Sequence, residues 1–121
     1  HGVQGWVSLL QGDLLGPVDE PVDLVVANLP YVRTGDFASI QPEVLREPRE
    51  ALDGGPDGLE VIHRLLRQLA GKVALRGAVL LECDPRQAEH LKREAQAYYA
   101  GSSVRVLQDL AGLDRVVELS L

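Results

Sequence analysis

Apolar residues along this chain follow two periods. Short runs at Val7–Leu10 and Asp23–Ala27 are bounded by Gly, Asp and Pro, and runs of this length read as buried strands. Further on, Leu59, Ile62, Leu65, Leu66 and Leu69 recur at helical spacing. That spacing predicts a helix over Leu59–Ala70, opened by Asp57 and Glu60 at capping-box separation. Ala78–Glu82 reads as a third strand. Asp84 as N-cap, Pro85 in the first turn and Gln87 as box partner begin a second helix, which Gly101 ends after about Ala100. Ala88, Leu91, Ala95 and Tyr98 form its inward stripe. Val104–Leu107 and Arg115–Leu119 complete the sheet as an antiparallel pair. The order of elements predicts one α/β domain over residues 1–121.

Residues 32–56 break this regularity. Loops longer than about 15 residues without structure of their own are uncommon in compact domains and tend to be lids or binding loops. The expectation is a substrate clamp, the alternative being a solvated insertion with one short helix around Pro42–Arg46.

Asn28-Leu29-Pro30-Tyr31 follows the run Val22–Ala27 directly, which puts a polar residue at the carboxyl end of a buried strand. In open α/β sheets ligands bind at that edge. Asn28 offers one acceptor oxygen and two donors, the Leu29 carbonyl a second acceptor, and Pro30 with Tyr31 a stiff wall for a flat group. Such a site suits an amide-like or amino-purine-like NH2. The competing reading of Asn28 is a simple turn cap before Pro30.

Asn-Leu-Pro-Tyr resembles the Asn-Pro-Pro-Tyr motif of S-adenosylmethionine-dependent methyltransferases acting on amide or exocyclic nitrogens. The stretches Pro42–Val44, Glu47–Leu52 and Gly54–Leu59 resemble the segment after that motif in bacterial release-factor glutamine methyltransferases, the HemK/PrmC family. Gly77–Glu82 and Asp109–Val117 match as well, so the resemblance covers nearly the whole chain. The chain departs from the family at Leu29, where proline is usual, and at Cys83-Asp84. It also lacks, upstream of Asn28, the family's glycine-rich cofactor loop, and it contains no Met. The resemblance therefore implies the carboxyl-terminal part of a class I methyltransferase catalytic domain. Its sheet is expected to be mostly parallel with an antiparallel last strand, the first strands being absent.

That resemblance implies S-adenosylmethionine as cofactor, a glutamine side chain of a peptide chain release factor as substrate, and a place in translation termination. Asn28, Leu29, Pro30 and Tyr31 are the implied catalytic and substrate-binding residues, and Asp13, Leu14 and Asn28 the implied cofactor contacts. Two alternatives are an adenine N6-methyltransferase of RNA or DNA, and a non-catalytic fragment of the fold. Losing the first strands is expected to leave the isolated chain inactive, binding cofactor weakly, and inclined to self-associate through an exposed sheet edge.

Composition narrows the choice. With 45% hydrophobic and 25% charged residues the chain is an ordinary globular sequence, and no run approaches the roughly 18 apolar residues of a membrane span. A single cysteine, Cys83, excludes an internal disulfide and fits a reducing cytoplasm. The net charge of −6 argues against direct nucleic-acid binding, because Arg33, Arg46 and Arg49 alternate with Asp36, Glu43, Glu47 and Glu50. No histidine flanks Cys83, which reads as structural, and His63 and His90 have no partners at metal-ligand spacing, so no metal site is expected.

Overall fold

A computed structural model describes all residues, His1–Leu121. The chain forms β1 (Val22–Ala27), α1 (Glu60–Gln68), β2 (Val73–Glu82), α2 (Ala88–Tyr98), β3 (Ser103–Gln108) and β4 (Asp114–Ser120). The four strands make one sheet in the order β1-β2-β4-β3. β1 and β2 pair in parallel, and β4 runs antiparallel to both β2 and β3. Three strands thus point one way and the last runs against them, as the sequence led us to expect.

Successive strand side chains point to opposite faces, and here only one face is covered. Val25, Val79, Leu81, Val117 and Leu119 join Ile62 and Leu66 of α1 and Leu91 and Ala95 of α2 in one buried cluster. All five stripe positions of α1, from Leu59 to Leu69, are at most 2% exposed, which bears out the helical period. On the other face Leu24 and Val26 stay 53% and 70% exposed. β1 is also an edge strand.

Several expectations need correction. Val7–Leu10 forms no strand and lies outside the sheet, with Leu9 93% exposed. Apolar runs become strands only where a neighbour can accept their backbone hydrogen bonds, and no strand pairs with this one. β2 begins at Val73, five residues before the apolar run, because Lys72 accepts a backbone bond from Val22 and draws the chain alongside β1. Between the pairs Val22/Val73 and Leu24/Ala78 the ladder bulges, and Arg76 takes a φ of 70° there. α1 ends at Gln68 and α2 at Tyr98. The inward tyrosine of α2 is Tyr99, whose hydroxyl donates to the Leu66 carbonyl at 2.7 Å, while Tyr98 faces outward. Leaving the helix at Tyr99 turns that ring back toward α1.

Helix starts also differ in detail. Asp57 accepts the Leu59 N–H at 2.8 Å, so it caps the turn before α1 and forms no reciprocal box with Glu60. α2 itself begins at Ala88, with Gln87 and not Asp84 at the N-cap position, so Asp84 and Gln87 tie the turn ahead of the helix: Gln87 Oε1 accepts the Asp84 N–H at 3.1 Å, and Asp84 Oδ1 accepts the Arg86 N–H at 2.8 Å.

The segment over 32–56 holds three short 3-10 helices, Thr34–Ser39, Val44–Arg46 and Arg49–Ala51, where at most one was expected. Local ties fasten it. Asp53 accepts from the Thr34 hydroxyl at 2.7 Å and from Arg49 Nε at 3.1 Å, and the Arg49 guanidinium lies 4.6 Å from the Phe37 ring centre. Arg86, in the turn before α2, reaches Asp36 at 3.2 Å and ties the segment to that turn.

Candidate active site

β1 delivers Asn28 to the edge where β2 also ends, so Asn28 and Glu82 close adjacent parallel strands. No hydrogen bond within the chain reaches the Asn28 carboxamide or the Leu29 carbonyl. Both remain available to a ligand. Leu29 and Tyr31 pack against the core on either side of Pro30.

Tyr31 is held at two atoms. Its hydroxyl donates to Glu82 Oε1 at 3.1 Å, and its carbonyl accepts from Gln87 Nε2 at 3.1 Å. Burial, reinforced by the negative charge of Glu82, pushes the Tyr31 hydroxyl above its ordinary pKa, so it stays a neutral donor.

The glycine-rich segment 54–58 backs the tetrapeptide. Gly54 donates to the Val32 carbonyl at 2.8 Å, and a Cβ on Gly54 would stand 2.6 Å from the Pro30 carbonyl. Gly58 has a φ of +79°, and a Cβ there would collide with Gln87 Nε2 and the Tyr31 carbonyl. These glycines are required by close backbone approach.

A cavity of about 380 Å³ opens beside the tetrapeptide, with Asn28, Leu29 and Tyr31 on one side and Val44, Glu47, Ala51 and Leu52 of the long segment on the other. A smaller recess of 130 Å³ touches Asn28 from the open face of the sheet, between Val26, Leu80 and Glu82. Asn28 borders both. Another concavity of about 380 Å³, lined by residues between His1 and Leu9, shares no residue with the tetrapeptide.

The other implied contacts lie on α1. Asp13 accepts from Arg64 Nη2 at 2.8 Å and Gln68 Nε2 at 3.3 Å, and Gln68 Oε1 takes the Leu15 N–H at 2.9 Å. This fixes a turn in which Leu14 has a φ of 55° and packs against the core. The structure records no contact between this turn and Asn28. His63 and His90 both turn to Glu94, at 2.6 and 3.5 Å. Cys83 is fully buried and its thiol is pushed up to about 11 by that burial, which agrees with a structural role.

Sequence reasoning treated Gln87 only as a helix-cap partner and passed over Glu82. Glu82 had a usable signal, since it ends an apolar strand beside the one that carries Asn28.

The fold and this edge define a class: the chain carries part of the class I methyltransferase fold. Its structure resembles the ribosomal protein L11 methylase of Lactobacillus delbrueckii subsp. bulgaricus with a TM-score of 0.53 at 22% identity, over 94% of this chain and 42% of that one. In sequence the chain is similar over most of its length to the release factor glutamine methyltransferases. It is 40% identical over 111 residues to the protein of that name from Deinococcus radiodurans and 42% identical over 115 residues to that from Moorella thermoacetica. These matches span 92% and 94% of this chain but 39% and 41% of the relatives, so the chain covers about two fifths of their length. A ribosomal protein uL3 glutamine methyltransferase of Bradyrhizobium diazoefficiens is 40% identical over 83 residues, 68% of this chain and 26% of that protein. No protein-family model matches the chain. No helix is long and apolar enough to cross a membrane.

Proposed function

We propose that this chain carries the substrate-holding part of an S-adenosylmethionine-dependent enzyme that methylates the side-chain amide nitrogen of a glutamine in a peptide chain release factor. The observation that carries this reading is the unengaged pair of acceptors, Asn28 Oδ1 and the Leu29 carbonyl, at a strand end beside a cavity of about 380 Å³. The names of the relatives support a glutamine substrate.

An amide nitrogen is a poor nucleophile because its lone pair is delocalised into the carbonyl. Asn28 Oδ1 and the Leu29 carbonyl accept its two N–H bonds, fix the nitrogen in line for attack, and compensate the positive charge that grows on it. Positioning and preorganised dipoles of this kind supply several kcal/mol without a general base. Pro30 and the Tyr31 ring wall the amide plane, and Val44, Ala51 and Leu52 exclude water from the opposite side. Leu29 in place of proline keeps the carbonyl acceptor on which this depends.

S-adenosylmethionine, when bound, supplies an electrophilic methyl group. The residues here fit it in part: Asn28 lines the recess on the open sheet side, while the Asp13 carboxylate is already shared by Arg64 and Gln68. Nothing in this chain cradles the methionine end.

The test is Asn28→Ala in the intact protein, assayed on release factor and on ribosomal protein uL3. Methyl transfer to the release factor should fall about a hundredfold or more, with cofactor still bound. Near wild-type transfer by the variant would sink the reading, and transfer to uL3 alone would replace the substrate.

A further inference from the structure

Gln87 is the one polar side chain that this fold buries, at 3% exposure. Each hydrogen-bonding atom of its carboxamide is engaged by backbone. Oε1 accepts the Asp84 N–H at 3.1 Å, while Nε2 donates to the Tyr31 carbonyl at 3.1 Å and to the Asp57 carbonyl at 2.9 Å. One side chain thereby ties the start of α2, the substrate-holding tetrapeptide and the turn into α1. Gly58 exists in its left-handed conformation directly against this amide, where any side chain would displace it.

A cap partner for α2 needs only the Oε1 contact. The two donors do something else: one pins the Tyr31 carbonyl, one peptide beyond Pro30, and the other holds the Asp57 carbonyl at the turn into α1. We infer that Gln87 is a positioning residue for methyl transfer, holding the Tyr31 carbonyl so that Asn28 Oδ1 and the Leu29 carbonyl keep the direction an incoming amide requires. This rests on the reading of Asn28 given above. Tyr31 is anchored at its hydroxyl by Glu82 and at its carbonyl by Gln87, and two anchors on one residue fix both the rotation and the depth of a turn that one would leave free.

Gln87→Glu separates the roles, because the carboxylate keeps an acceptor for the Asp84 N–H and removes both donors. Gln87→Met fills a similar volume with no hydrogen bond at all. In the intact protein, kcat of either variant should fall by about a hundredfold, the effect of misplacing a reacting group by about 1 Å, while KM and cofactor affinity change by less than about threefold. In the background of Asn28→Ala, Gln87→Glu should cost less than about threefold more, because the group it positions is gone. An unchanged kcat, a loss confined to KM, a fully additive double variant, or failure of both single variants to fold would each overturn the inference and leave Gln87 a structural clip. Failure of Asn28→Ala itself to slow the reaction is a separate arm, and it removes the reading of the tetrapeptide instead.

Discussion

The Tyr31 hydroxyl donates to Glu82 Oε1 across 3.1 Å, joining the tetrapeptide after β1 to the last residue of β2. This gives the hydroxyl a task that the sequence did not reveal. Sequence alone assigned Tyr31 a ring face for the substrate, so that losing the hydroxyl would matter little. Tyr31→Phe should still be milder than Tyr31→Ala, but it frees the ring to rotate. A single hydrogen bond is worth about 1 kcal/mol, so steady-state methyl transfer by Tyr31→Phe should drop about fivefold. Tyr31→Ala, which also opens the wall of the cavity, should lose about a hundredfold. Equal rates for Tyr31→Phe and wild type would show that Glu82 does not orient the ring.

Gly58→Ala places a methyl group against Gln87 Nε2 and the Tyr31 carbonyl at a φ of +79°. Left-handed strain and overpacking add, and the loss of folding stability should be about 3 kcal/mol. Urea denaturation measures it. Gly112→Ala, also at positive φ but with open space around it, is the control and should cost about 1 kcal/mol. Equal costs would mean that the backbone contact with Tyr31 is loose.

The carboxyl of Asp53 is held below the usual carboxylate range, first by the Thr34 hydroxyl and then by the Gly55 N–H and Arg49. A lowered native pKa means that the folded state binds fewer protons than the unfolded one. The stabilisation is therefore complete above the ordinary value of about 3.9 and is lost as pH falls through the lower native value. Hydrogen exchange of the segment around Thr34 and Gly55 should speed up below about pH 4, after correction for the intrinsic rate. Protection unchanged from pH 6 to 3 would contradict the assignment.

Leu24 and Val26 stand exposed on an edge strand, and the Val7–Leu10 run finds no partner in the sheet. Exposed apolar edges pair with other chains. These 121 residues alone should self-associate with increasing concentration in light scattering, and Val26→Lys should shift them toward monomer. A wild-type chain that stays monomeric at high concentration would show that the edge is protected.

The same 121 residues should bind S-adenosylmethionine poorly, because Asp13 is shared by Arg64 and Gln68 and the glycines at 54 and 58 are filled by backbone neighbours. Calorimetric titration giving micromolar affinity would refute this.

What the sequence determined by itself was set by neighbours along the chain. The stripe from Leu59 to Leu69, the strand ending at Ala27 and the bond between Asp84 and Gln87 rest on patterns spanning a few residues, and each formed, though that bond closes the turn ahead of α2 and does not cap the helix. The place of Asn28 at a strand's carboxyl end was legible for the same reason. The tertiary structure decided whatever needed a distant partner. Val7–Leu10 has strand composition but no ladder to join, Tyr99 displaces Tyr98 because the Leu66 carbonyl is within its reach, and Asp57 serves Leu59 instead of a box with Glu60. The glycines at 54 and 58 look like loop flexibility until the backbone of Pro30 and Tyr31 arrives against them. Gln87 meets Tyr31 across 56 positions of sequence and Asp57 across 30, separations at which no local pattern carries information. Close packing creates those contacts, and a buried amide keeps its place only because the assembled fold satisfies every hydrogen bond it can make.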